Sequence, residues 1–208
     1  ALHLDLASLR RELLPVLLLA GPGVLMSMGI CAGILYLGAG RSGLASEVGW
    51  PQALIFGAVL AATDPISVLA LFRELGVPRR LYLLVEGESL LNDGVAVVVF
   101  VIVGKVFGID GGEPLVGSAI ASEAIRTFVW MVGIGLGTGL AIGAAASFLT
   151  KQIDDHLIEI VLTVIVAYSA FLTAETLHAS GVLATVAAGL MVGSFGSHYG
   201  MSVTTRVA

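Results

Sequence analysis

Apolar stretches of roughly 20 residues, separated by short polar segments, recur along the 208-residue chain. They predict membrane-crossing helices near residues 13–37, 51–72, 80–107, 122–149, 156–178 and 180–197. The longer stretches leave room for tilt. Only "HASG" separates the last two, which predicts a tight helical hairpin turning at Gly181. The pattern gives an all-α polytopic membrane protein with about six transmembrane helices.

Polar residues break the pattern in two places. In "AATDPISVLALFREL" (61–75), Asp64 lies about 13 residues, or roughly 20 Å, past Pro51, a favourable first residue of a helix. That depth is close to mid-membrane. Pro65 removes a backbone donor and moves Asp64 away from helical dihedrals, so this helix is expected to be interrupted at Thr63-Asp64-Pro65. Freed backbone groups at that depth need protein or a water-filled cavity around them, and secondary transporters build ion sites from such interruptions.

The next span carries "LLVEGESLLNDGVAVVVF", with Glu86, Glu88, Asn92 and Asp93 inside one apolar run. Counted from residue 80, Asp93 is also about 13 residues in, so antiparallel neighbours bring Asp64 and Asp93 to similar depth. Glu86, Ser89 and Asp93 share one helix face, Glu88 and Asn92 an adjoining one. Both faces are expected to look into the bundle rather than at lipid.

A carboxylate inside a membrane span marks a functional site. Held where charge is costly, it takes up either a proton or a hard cation, which is the competition an antiporter needs. Thr63, Asp64, Ser89, Asp93 and the carbonyls near Pro65 form an oxygen-only set that suits Na⁺ or Li⁺ at Asp64 and Asp93 better than a soft transition metal. For Glu86 and Glu88 a purely structural reading stays open, as acids neutralised by hydrogen bonds. His3, His156, His178 and His198 fall at span ends or in loops, without zinc-site spacing. Glu159 and Glu175, near the ends of the fifth span, read as interfacial or helix-packing residues.

Composition agrees with the membrane class: 57% hydrophobic, 12% charged and a mean hydropathy of +1.02. The net charge of −5 and the lack of any Lys/Arg-rich run argue against a nucleic-acid partner. With loops alternating between two sides, Arg10, Arg11, Arg73, Arg79, Arg80, Lys151 and Arg206 fall on one, and Arg41, Lys105 and Arg126 on the other. The positive-inside rule then places both chain ends in the cytoplasm. Gly135, Gly139 and Gly143 recur at intervals of four on one face, the usual device for close helix packing in lipid, and Gly29 and Gly33 repeat the spacing in the first span. The single Cys31 forms no internal disulfide and reads as a small buried apolar residue. Residue 1 is Ala and the opening lacks a signal-peptide pattern, which suggests a piece of a longer chain.

The segment "ATDPISVLALFRELGVPRRLYLLVEGESLLNDGVAVVVF" (62–100) resembles the signature of the monovalent cation:proton antiporter-1 family, the sodium/proton exchangers. T-D-P, a basic L-G-x-P-R-R loop, E-G-E-S and N-D-G in that order are far more specific than any one piece. The flanks "RRELLPVLLLAGPGVLMSMG" and "LIEIVLTVIVAYSAFLTAETLHASGVLATVAAGLMVGSFG" also resemble the family's adjacent helices. The resemblance implies a larger antiporter fold, a homodimer, and a core domain moving against a dimerisation domain. It implies that Asp93 carries cation and proton, that Asp64, Thr63 and Ser89 build the ion site, that Asn92 supports it, and that Glu88 meets a basic residue on a later helix. Asn rather than a second Asp before Asp93 matches the electroneutral members. Six spans are fewer than that fold requires, so a fragment of an exchanger is expected.

The resulting expectation is exchange of Na⁺ or Li⁺, with K⁺ a further candidate, for H⁺ across a lipid bilayer. No cofactor beyond these transported ions is implied, and short loops favour a prokaryotic plasma (inner) membrane. Two other classes compete. An intramembrane aspartyl protease also uses two Asp on neighbouring spans, but T-D-P and N-D-G lack the Gly-x-Gly-Asp context of those enzymes. A cation channel also buries charge, but no Arg ladder for voltage sensing occurs within the spans.

Overall fold

A computed structural model describes residues 11–42, 48–150 and 156–193, and every regular element among them is helical. The order is α1 (Leu13–Leu18), a wide π-type turn (Leu19–Gly23), α2 (Val24–Ser42), α3 (Trp50–Ala61), α4 (Ile66–Leu75), α5 (Arg79–Val106), α6 (Ser118–Thr150), α7 (His156–Thr176) and α8 (Gly181–Met191). Five stretches are long and apolar enough to cross a membrane: Leu13–Ser42, Trp50–Leu75, Arg79–Val106, Ser118–Thr150 and Ile158–Thr176. The sixth expected span, 180–197, holds the 11-residue α8, which at about 1.5 Å per residue is too short to cross alone. Residues 194–197 lie outside the described residues, as do Arg10, Lys151, Arg206, His3 and His198 of the orientation and histidine readings.

The first expected span is also not a plain helix. Pro22 has no N–H to give and sits inside the π-type turn, where the backbone widens to pass it. The T-D-P interruption falls where the sequence placed it: α3 ends at Ala61, Ala62 turns to extended dihedrals (φ −71°, ψ 118°), and α4 starts at Ile66.

The described residues divide into two compact units, one within 13–129 and the other within 130–193 together with Arg11 and Glu12. In the first, α3 packs along both α2 and α5. Its core is built from small and β-branched residues: Val24, Ala61 and Ala96, then Ala58, Val99 and Val103, bridged by Met28 and Val95. The closest approach between helices at a described glycine of this unit is at Gly57, where a Cβ would run into the Met28 carbonyl and come within 3.2 Å of the Ala32 nitrogen on α2. The packing glycine of this pair is therefore Gly57. Gly29 and Gly33 have nothing within 4 Å of a notional Cβ, because α2 presents Met28 and Ala32 to α3 instead. An edge-to-face pair, Tyr36 and Trp50 with centroids 5.2 Å apart, closes the α2–α3 junction. Where α5 ends, Lys105 Nζ reaches Glu123 Oε1 (3.3 Å) and Thr127 Oγ1 (3.1 Å) on α6.

In the second unit the glycine face of α6 meets α8 as its spacing predicted. Gly135 lies against Ser180, Gly139 against Ala184 and Gly143 against Ala188. Both series ascend together in steps of four, so the two helices run parallel. Hydroxyls on α6 satisfy themselves by returning to their own helix, Ser147 to the Gly143 carbonyl (2.8 Å) and Thr150 to that of Ala146 (2.7 Å).

The α7–α8 hairpin turns three residues earlier than expected. His178 takes the left-handed conformation (φ 53°), and Gly181 opens α8, where the Phe171 ring occupies the space a side chain would need. Beside its own backbone bonds, four others hold the turn. Trp130 Nε1 donates to the Leu177 carbonyl (3.1 Å), Ser180 N–H to that of Met131 (3.2 Å), Gly181 N–H to Glu175 Oε1 (3.3 Å), and Leu183 N–H to Ser180 Oγ (3.3 Å). Glu175 is thus a packing residue that caps α8, while Glu159 in the first turn of α7 is fully buried rather than interfacial (1% exposed).

These contacts make a paired prediction for the full-length protein in detergent. Gly139→Ala and Gly57→Ala should each destabilise by about 1–3 kcal/mol, the usual cost of overpacking. Gly137→Ala and Gly33→Ala, which meet open space, should be neutral or slightly stabilising because Ala favours helix. Thermal unfolding followed by tryptophan fluorescence distinguishes the two sets; equal midpoints for all four would contradict the packing described.

Candidate functional site

The break between α3 and α4 supplies the site's first half. Four residues, Ala62–Pro65, leave the helix, and Pro65 fixes the start of α4, whose Leu69 N–H donates to the Pro65 carbonyl (2.8 Å). The Asp64 side chain turns forward, and its Oδ1 accepts the Ile66 N–H at 3.0 Å. A carboxylate at the first turn of a helix meets the positive end of the backbone dipoles, so the break supports its own charge.

The second half is the middle of α5, which runs unbroken beside the interruption. Asn92 Nδ2 donates to Thr63 Oγ1 at 3.0 Å, and Ser89 Oγ reaches the Thr63 carbonyl at 3.5 Å. Ser89 and Asn92 are three apart, so two successive turns of α5 grip one residue of the break. Asn92 is itself buried, 2% exposed, with its Oδ1 the one buried side-chain polar atom among the described residues without a hydrogen-bond partner.

Asp93 sits one residue further round, on the exposed side with Thr63 and Asp64. It lies within electrostatic range of both Asp64 and Glu88. The expectation that Asn92 and Asp93 both look into the bundle holds within this unit for Asn92 alone: residues adjacent on a helix point about 100° apart, and α3 covers only one of those directions.

The structure therefore brings together Thr63, Asp64, Glu88, Ser89, Asn92 and Asp93, with Pro65 setting the backbone. Carboxylates this near repel one another, and a cation or proton placed among them lowers that energy. The oxygens of Thr63, Asp64, Ser89 and Asp93 are hard donors, of the kind that suits an alkali cation better than a soft metal. Glu86, on the same helix, stands apart from this group, one turn nearer the start of α5. Sequence reasoning placed Asn92 with Glu88 on a face looking into the bundle and gave it a supporting role through the resemblance; an amide three residues after Ser89 was the local signal for its reach to the broken helix.

Comparison with known proteins gives a consistent set. The family described as sodium/hydrogen exchanger, transmembrane, matches residues 1–206. A Na⁺/H⁺ antiporter of Aphanothece halophytica, ApNhaP, is 46% identical over 202 residues, 96% of this chain and 36% of that protein. The low-affinity Na⁺/H⁺ antiporter NhaS1 of Synechocystis is 40% identical over 209 residues, 100% of this chain and 37% of that protein. The Na⁺/H⁺ antiporter NhaP of Pseudomonas aeruginosa is 36% identical, with 99% and 47% coverage. The chain thus spans between about a third and a half of the length of these relatives.

The grip on the break is testable without any transport assay. Thr63→Val keeps the side-chain shape but removes the acceptor of Asn92, and should lower the stability of the full-length protein by about 1–3 kcal/mol, whereas Thr63→Ser should stay near wild type. Thermal unfolding midpoints measure the difference, and a Val variant as stable as the Ser variant would show that the 3.0 Å bond contributes nothing.

Proposed function

The chain belongs to the sodium/hydrogen exchanger transmembrane family, and from that membership we propose that the full-length protein exchanges a monovalent cation for a proton. Na⁺ or Li⁺ is the favoured cargo and K⁺ a further candidate. Residues 1–208 make up part of its transmembrane antiporter region, in a prokaryotic plasma membrane, within a homodimer. The single observation that carries the reading is the Asn92–Thr63 bond, which ties the helix break bearing Asp64 to the helix bearing Asp93.

In this reading Asp93 is the exchanging group. Deprotonated, it holds the cation together with Asp64 and the oxygens of Thr63 and Ser89; protonated, it releases the cation. A charged side chain at the bilayer centre costs roughly 2.5–3.5 kcal/mol or more. The carrier therefore crosses between its two exposures only when Asp93 is occupied by one ion or the other, which couples the two fluxes. One carboxylate exchanging one cation for one proton makes the cycle electroneutral. Asn92 holds the break in register, Pro65 keeps it open, and Glu88 pairs with a basic residue of the full-length protein. Alternating access follows from movement of the helices that carry this site. The antiporter names of the relatives support the class of reaction.

Proteoliposomes containing the full-length protein and an internal pH dye test this directly. Na⁺ or Li⁺ added outside should move protons, and the response should persist with the membrane potential clamped by K⁺ and valinomycin. Asp93→Asn should abolish it while the protein remains folded and monodisperse. Exchange retained in Asp93→Asn would remove Asp93 from the centre of the mechanism.

A further inference from the structure

The half-helix α4 has an unusual footing. None of its ten residues is buried. Its half-buried positions, Leu69 and Phe72, form with Arg73 one narrow stripe at i, i+3 and i+4. At its first end it hangs from the break that Ser89 and Asn92 grip; at its last it is closed by Gly76, in the left-handed conformation (φ 63°) that glycine adopts without strain. Between those ends one polar side-chain pair, among the described residues, ties it to α5. Arg73 donates from Nε (3.1 Å) and Nη2 (2.5 Å) to the Tyr82 hydroxyl, and its guanidinium carbon lies 5.4 Å from the centre of the Tyr82 ring. The flat fork thus uses two donors and a cation–π contact on one residue, an arrangement a lysine cannot copy. Glu86, one turn further along α5, adds an attractive charge.

The link to the site is mechanical. Asp64 Oδ1 is bonded to the first N–H of α4, so the carboxylate turns whenever α4 turns. Arg73 lies seven residues beyond Ile66 along α4, a lever of about 10 Å. We propose that Arg73 and Tyr82 form a brace that sets the angle of α4 on α5 and so aims the Asp64 carboxylate at Asp93. Both are positioning residues for the cation site, and this role rests on the antiport reading above.

The test uses the full-length protein and two readouts. In proteoliposomes, Arg73→Gln and Tyr82→Phe should each raise the apparent KM for Na⁺ by about fivefold, the scale of one lost hydrogen bond, while the maximal rate changes less than about twofold. Arg73→Lys should behave like Arg73→Gln, and the double variant Arg73→Gln/Tyr82→Phe should be no worse than the poorer single. KM values within about twofold of wild type, or losses that multiply in the double variant, would overturn the brace.

The second readout needs no transport. With native cysteines replaced and spin labels at Leu71 and Leu81, both exposed, the α4–α5 distance distribution should broaden in Arg73→Gln and in Tyr82→Phe. An unchanged distribution overturns the brace. A wild-type protein that moves no protons with any alkali cation, together with broadening in the two variants, would instead overturn the antiport reading and leave the brace standing as the element that sets the angle of α4.

Discussion

Lipid offers no hydrogen bonds, so any stretch of backbone that leaves the helix inside a membrane span must be met by other protein groups or by water. Residues 62–65 are such a stretch, and the polar chemistry of the first unit is arranged around them. Asp64 satisfies the first donor of the half-helix that follows, while Ser89 and Asn92 reach across from α5 to the oxygens of Thr63. The same bonds that make the break tolerable bring two aspartates into each other's field. Stability and site are one feature here: a helix completed by replacing Pro65 would need no grip from α5 and would take the Asp64 carboxylate away with it.

The two units meet the demands of lipid by different means. Around the break, polar side chains bridge helices. Between α6 and α8, contact is made by subtraction: Gly135, Gly139 and Gly143 remove side chains so that backbone lies on backbone. Dispersion and shape then supply what the hydrophobic effect cannot between two helices already out of water. The hydroxyls of Ser147 and Thr150 on α6 turn back onto their own helix instead of bridging to α8.

What could be read from sequence followed from how local each cause was. The interruption at Pro65 was legible because a missing N–H and a restricted preceding residue act within one turn. The α6 glycines were legible because four-residue spacing alone defines a face. Gly29 and Gly33 have the same spacing yet meet no neighbour among the described residues, since the face of α2 that is covered there depends on α3 and on Gly57 within it. The turn of the last hairpin was misplaced at Gly181 because the bonds from Trp130, Met131 and Glu175, distant in sequence or on another helix, hold His178 in a conformation that glycine would ordinarily take. Pro22 was passed over because a π-type turn keeps the apolar pattern intact while absorbing the lost donor. Which of Asn92 and Asp93 would be covered depended on where α3 lies, and no periodicity contains that.

The matched ladder of α6 and α8 sets a rule for motion. Ser180, Ala184 and Ala188 repeat at the same interval of four as the glycines opposite them, about 6 Å along either axis. A shift of half that distance would drive Cβ atoms into backbone, so the pair has no smooth sliding coordinate. It behaves as a detent: the two helices either travel together as one stiff beam or jump a full rung, and any rearrangement that passes through this unit must be carried at its ends.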